Sequence, residues 1–177
     1  GEIIAVKQAD GTKVWSQKVG ANQSWNSRVL ASVNKGTELV VSSQGKLVGL
    51  DPRKGTVLWT CGAVNDYVCP SVVANQGIAY VIGGRQNTAV AVKMGGKGDI
   101  TATHTLWTAK RGSNVSSPVY HQGHLYWAHE SKGIAYCLDA KTGDVVYEQK
   151  LTPNPDRIYA SASLADGKIY YVSRNNG

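Results

Sequence analysis

Gly45-Lys-Leu-Val-Gly-Leu-Asp51-Pro-Arg-Lys-Gly55-Thr-Val-Leu-Trp59 is the stretch on which the fold turns. It reads as an alternating strand, a Leu-Asp step, a short turn closed by glycine, a second short strand, and an aromatic residue four positions after the glycine. Gly133-Ile-Ala-Tyr-Cys-Leu-Asp139-Ala-Lys-Thr-Gly143-Asp-Val-Val-Tyr147 repeats that order. Apolar residues with a period of two mark a half-buried strand. An Asp at the head of a turn bonds its own backbone, and a Gly at its close takes the positive φ that other residues resist.

Working outward, a shorter copy runs Ile4-Ala-Val-Lys-Gln-Ala-Asp10-Gly11-Thr-Lys-Val-Trp15. A fourth runs from Ala89-Val-Ala-Val to Leu106-Trp107, its turn enlarged by Gly95 to Thr105. The closing aromatics Trp15, Trp59, Trp107 and Tyr147 are 44, 48 and 40 residues apart. That is the period of a four-stranded propeller blade. Between the copies lies a second repeated half: Ser27 to Val33 then Thr37 to Val41, Cys69 to Ala74 then Gly77 to Ile82, Ser116 to His121 then Gly123 to Trp127, and Ser161 to Asp166 then Gly167 to Val172. Each is two short strands around a hairpin. No segment carries a helical period over 11 or more residues.

A full unit is therefore four strands, A to D from the inside out. The expected fold is all-β: a β-propeller of four four-stranded blades, one domain over 1–177. Blades fall at about 27–62, 69–110 and 115–151, with a split blade of 159–177 plus 1–20. The chain starts in phase C-D and ends in phase A-B. Two architectures fit, a closed four-blade ring or half of an approximately eight-bladed propeller; the half-propeller or fragment is the favoured reading. Gly1 rather than Met at the start leads to the expectation of a processed product or a fragment.

Composition agrees. There are 9 Tyr, 5 Trp and no Phe among 42% hydrophobic residues, with 20 Gly and 5 Pro, a set suited to pleated surfaces and tight turns. The net charge of +7 is dispersed rather than gathered in a basic run, and no nucleic-acid recognition motif is visible. Nucleic acid is not an expected partner. No apolar run approaches the ~20 residues of a membrane-spanning helix.

At this point the repeat resembles the PQQ-like β-propeller family, which takes in BamB-like envelope proteins and quinoprotein dehydrogenases. The likeness is carried by Gly123 to Tyr147 and Gly45 to Trp59 and extends over essentially the whole chain. It implies that Trp15, Trp59 and Trp107 dock one blade onto the next, with Tyr147 departing from the Trp pattern. The bottom-up reason agrees: an aromatic on an outer strand buries apolar area between blades while its N–H finds a carbonyl.

Candidate chemistry is sparse. Quinone-dependent oxidation needs a metal held by carboxylates; Asp51 and Asp139 instead sit in the repeated turns with Gly55 and Gly143, where Asp ordinarily bonds its own backbone. His121, His124 and His129 lie near one hairpin but lack the ligand spacing of a zinc site. Cys61 and Cys69 are candidates for a disulfide in an oxidising compartment, and Cys137 reads as a small buried residue. The enlarged turn, with Asp99, Thr101, Thr103 and His104, interrupts a rigid scaffold where function tends to sit; the simpler reading is a solvent-exposed extension. No catalytic set, metal site or cofactor is expected. The functional expectation is a non-catalytic scaffold or protein-binding module of the bacterial envelope, periplasmic or extracellular, whose partner is a protein or a second copy completing the ring. The alternative is a fragment of a PQQ oxidoreductase, which would bring PQQ and calcium.

Overall fold

The computed structural model describes residues 1–20, 25–34, 36–43, 45–65 and 68–175. It opens on an antiparallel hairpin of β1 (Glu2–Val6) and β2 (Lys13–Lys18). Sheet 1 follows, with β3 (Val29–Val33), β4 (Gly36–Ser43), β5 (Lys46–Leu50) and β6 (Val57–Gly62) in sequential antiparallel order. Sheet 2 holds β7 (Val73–Asn75), β8 (Ile78–Gly83), β9 (Thr88–Lys93) and, after an insertion, β11 (Thr105–Ala109). The insertion contains β10 (Gly98–Asp99) and a one-turn helix α1 (Thr101–His104). Sheet 3 holds β12 (Val119–His121), β13 (His124–Ala128), β14 (Ile134–Asp139) and β15 (Val145–Lys150). A last hairpin pairs β16 (Ser163–Ala165) with β17 (Lys168–Tyr170).

The hairpins between the first two strands of a unit take their shape from paired positive φ. Gln76–Gly77, Gln122–Gly123 and Asp166–Gly167 each hold φ between 45° and 81°, the two-residue primed turn whose twist matches the flanking strands. The turns between the last two strands are longer and also repeat. Asp51 N–H donates to Thr56 O at 2.9 Å and Gly55 N–H to Asp51 O at 2.8 Å; Asp139, Asp144 and Gly143 reproduce both bonds at 2.9 Å.

Burial lies between sheets. Trp59, Cys61, Val90, Val92 and Ile100 share one core between sheets 1 and 2. Tyr80, Ile82, Trp107, Tyr136 and Leu138 share a second between sheets 2 and 3. Ile3 and Trp15 seat the first hairpin on Val41, Val48 and Leu50 of sheet 1. A middle strand thus has both faces covered, so β8 reads Ile-Ala-Tyr-Val-Ile-Gly, an unbroken apolar run rather than an alternating one.

One feature goes beyond the sequence-based expectations. The enlarged turn is not a free extension: β10 adds in parallel to the outer edge of sheet 1, Gly98 opposite Trp59 and Asp99 opposite Thr60. Among the described residues, β1–β2 and β16–β17 each form a two-stranded sheet.

Candidate functional site

Two of the four marker aromatics occupy the same kind of socket. Trp15 lies on Gly55 of sheet 1, where a Cβ would come within 2.5 Å of its ring, and its indole N–H donates to Pro52 O at 3.1 Å. Trp107 lies on Gly143 of sheet 3 in the same way, with 2.6 Å to a Cβ there, and donates to Ala140 O at 3.0 Å. The glycine serves twice, taking positive φ and leaving room for the ring. Asp139 Oδ1 firms the turn beneath by accepting from Lys141 N–H (2.8 Å) and Thr142 N–H (2.9 Å). The Thr142 amide first, then that of Lys141, holds the Asp139 carboxyl below its ordinary value. Asp51 makes the matching bonds to Arg53 and Lys54.

Trp59 is fully buried between sheets 1 and 2 but departs from the socket pattern. It lies on Gly49 of its own sheet, and its indole N–H donates to Glu38 Oε2 at 2.7 Å. The reason is the insertion: sheet 2 lacks the five-residue Asp-to-Gly turn that supplies a carbonyl and a bare glycine. Tyr147 also departs, lying partly exposed on a strand whose residues are all exposed, 6.5 Å from the Tyr126 ring.

In the N-terminal copy the turn bonds start from Lys7, not Asp10. Lys7 N–H donates to Thr12 O at 2.8 Å and Gly11 N–H to Lys7 O at 2.9 Å. Lys7 therefore stands where Asp51 and Asp139 stand, and Gln8 matches Pro52 and Ala140.

The polar residues of the insertion brace it. Asp99 Oδ1 accepts from Thr101 N–H (2.9 Å) and Oγ1–H (2.6 Å), which holds its carboxyl below the ordinary value. Thr101 Oγ1 accepts from Gly62 N–H at 2.8 Å, fastening the insertion to sheet 1. Thr103 Oγ1 and His104 Nδ1 are 2.7 Å apart. Beside them a cleft of about 1230 Å³ opens between sheets 1 and 2, with Arg53, Lys93, Lys97, His104 and Met94 among its walls.

A serine ladder that the sequence reading did not single out links the units near their first strands. Ser27 N–H donates to Ser71 Oγ (3.1 Å), Ser71 N–H to Ser117 Oγ (2.9 Å), and Ser117 N–H to Ser161 Oγ (3.1 Å). The steps are 44, 46 and 44 residues, so a search for serines at the aromatic period would have found it.

No disulfide joins the candidate pair Cys61 and Cys69. Cys61 Sγ is 3.5 Å from both Gly62 O and Thr105 Oγ1, within the core between sheets 1 and 2. Burial pushes the Cys137 thiol up, keeping it protonated. His121 and His124 face each other across β12–β13, while His129 is buried at the far end of β13, its pKa lowered by desolvation against the pull of Glu130. Among the described residues no three His, Cys, Asp or Glu side chains gather closely enough to hold a metal ion. Among the described residues no helix is long and apolar enough to cross a membrane.

Repeated antiparallel sheets stacked through aromatic sockets define a β-propeller of the PQQ-repeat class. The chain belongs to the family described as outer membrane protein assembly factor BamB, which matches residues 1–177. BamB of Escherichia coli K12 is 25% identical over 192 residues, and BamB of Salmonella typhimurium LT2 24% over 186. The matches cover 98% and 99% of this chain but 46% and 44% of those proteins, so the chain spans about half their length. The structure of BamB from Moraxella catarrhalis superposes with a TM-score of 0.66 at 16% identity, over 98% of this chain and 49% of that one. A europium-containing methanol dehydrogenase superposes at 0.65 and 17%, over 96% of this chain and 43% of that one. These structural likenesses show the fold alone.

Proposed function

We propose that this chain is a non-catalytic propeller scaffold that binds protein partners in the bacterial cell envelope, on the periplasmic side, in the assembly of outer-membrane proteins. The observation that carries the reading is the family match over 1–177 together with curated relatives named for outer membrane protein assembly. The side chains agree in kind: the Asp, Thr and Trp groups traced above are engaged in turns, braces and sockets. Sheets 1 to 3 and the two terminal hairpins make four blades' worth of an approximately eight-bladed ring. The cleft beside the insertion, lined by Arg53, Lys93 and Lys97 against Glu38 and Asp51, is the proposed partner-facing surface, its basic side suited to an acidic stretch of a partner.

The quinoprotein alternative rests on a likeness of fold. Asp51 and Asp139 are held by their own turn amides, and among the described residues no three His, Cys, Asp or Glu side chains gather to hold a metal ion, which supports the scaffold reading over a calcium–quinone site.

Depleting the protein in its native host and quantifying folded outer-membrane proteins tests the proposal. A fall is expected, with rescue by the wild type and weak rescue by Arg53→Glu/Lys97→Glu. Normal levels, with turnover of alcohols by the purified chain supplied with PQQ and calcium, would overturn it.

A further inference from the structure

The cleft between sheets 1 and 2 opens where one regular turn is replaced. Trp15 and Trp107 each lie on an Asp-to-Gly turn of the neighbouring sheet. Trp59 has no such turn to lie on, because Gly95 to Thr105 stands in its place. Its ring falls back onto Gly49 and Glu38 of its own sheet. The cleft's walls are braced from outside. On the sheet 1 side, Trp15 holds the turn that carries Arg53 from behind, through its bond to Pro52 O. On the sheet 2 side, Met94 N–H donates to Gly77 O at 2.8 Å and Ile100 N–H to Thr60 O at 2.9 Å, pinning the insertion at both ends. A site so braced loses little freedom when it binds.

Charge and apolar surface are sorted inside it. Leu58 and Ile78 are half-buried and make the floor. Val57 and Leu106, 43% and 45% exposed, stand nearer the opening. The two carboxylates of the cleft are already engaged. Asp51 Oδ1 accepts from the Arg53 and Lys54 amides at 2.7 and 3.1 Å. Glu38 is buried, and its Oε2 accepts from the Trp59 indole at 2.7 Å. Arg53, Lys93 and Lys97 are exposed, and no ion pair among the described residues engages them. A visitor therefore meets unpaired cations on the rim and apolar side chains behind them.

We infer that this cleft takes a short extended peptide in which apolar side chains alternate with carboxylates, supplied by an unfolded segment of a partner protein. The inference rests on the scaffold reading above and adds what the scaffold grips. Length follows from the strands. The cleft runs from the β3–β4 turn to β6, about three strand spacings of ~4.8 Å, or about 14 Å. At ~3.3 Å per extended residue that is about four to five residues. Successive side chains of an extended chain point to opposite sides. One set reaches Leu58 and Ile78, and the other turns outward to the cations on the rim. Complementary charge steers such a segment in and fixes its register. A phosphate would use the cations and leave the apolar floor wet. A folded surface would rest on the rim without reaching the floor.

The test is fluorescence anisotropy of a labelled hexapeptide that alternates leucine with aspartate, capped at both ends and titrated with the purified 177-residue chain. Saturable binding is expected. Arg53→Glu/Lys97→Glu should weaken it about tenfold or more, and salt at about 0.5 M several-fold. Both substitutions are at exposed positions, and circular dichroism checks that the variant is folded. Leu106→Gln should weaken binding several-fold through lost apolar contact. Peptides with lysine in place of aspartate, or serine in place of leucine, should bind about tenfold more weakly or worse. Lack of saturable binding at up to about 1 mM protein overturns the inference. So does unchanged affinity in the charge-reversed variant, or equal affinity for the serine–aspartate peptide. Full displacement of the label by inorganic phosphate or by phosphatidylglycerol vesicles also overturns it, making the cleft an anion site. If any of these occurs while depletion still lowers folded outer-membrane proteins, the scaffold reading stands without this occupant. Specific peptide binding with normal outer-membrane protein levels would strike the scaffold reading instead.

Discussion

Replacing Gly143 by Ala tests the socket, because Gly123 in the same sheet supplies a matched control. Both glycines hold positive φ, 78° and 81°, so each Ala costs about 1–2 kcal/mol for the left-handed backbone alone. At Gly123 nothing lies within 4 Å of the new methyl; at Gly143 it would sit 2.6 Å from the Trp107 ring. The indole must lift by roughly 1 Å, since ordinary carbon contacts are about 3.5–4 Å. That forfeits part of its packing and strains the bond to Ala140 O, itself worth about 0.5–1.5 kcal/mol. Complete removal of a buried Trp costs about 3–5 kcal/mol, so an extra ~2–3 kcal/mol is expected for Gly143→Ala over Gly123→Ala. In urea this is roughly a 1 M difference in midpoint at a slope of ~2–3 kcal/mol/M, read by far-UV circular dichroism at one protein concentration. In a Trp107→Ala background the excess should vanish, since residues in contact couple and separated ones add. Equal destabilisation by the two glycine substitutions, or an excess that survives without Trp107, would refute the socket.

Glu38→Met should leave the buried Trp59 N–H without an acceptor and cost about 1–3 kcal/mol, whereas Glu38→Gln keeps an acceptor and costs less; thermal unfolding of the two variants separates them. Ile100→Ala, at the buried foot of the insertion, is expected to destabilise by about 2–4 kcal/mol, and a cost near zero in urea titration would mean that the insertion does not brace sheet 1. Because turn amides lower the Asp139 pKa on folding from its ordinary 3.8, its contribution is present above that value and lost as pH falls through the lowered one. The stability gap between Asp139→Asn and wild type should therefore narrow in acid, in denaturant titrations from pH 6 downward. Thiol titration of the denatured, unreduced protein should find three thiols; finding one would restore the Cys61–Cys69 bridge.

Much of the unit was legible in the chain itself. Alternating strands, the Asp-to-Gly turns at 51–55 and 139–143, and the aromatics four residues beyond depend on neighbours in sequence, and backbone preference writes them locally. The same signals point to Trp15 and Trp107, because a socket needs only an aromatic and the bare glycine that closes the next regular turn. Asp10 was misleading because it lies beside Gly11 in sequence, while the turn's hydrogen bonds count from Lys7. The insertion could be located by its break in the repeat, but not its destination on β6, since a strand edge carries no address in the sequence of the segment that joins it.

What the sequence by itself determined was the repeat, its phase and the chemistry of each turn, all set by interactions spanning a few residues. The tertiary structure decided the rest. It turned Trp59 onto Gly49 and Glu38 because the neighbouring turn is enlarged. It put Cys61 in a core rather than a bridge, and lined up Ser27, Ser71, Ser117 and Ser161. These outcomes depend on which surfaces meet within and between the stacked sheets, a matter of packing geometry that no local pattern encodes.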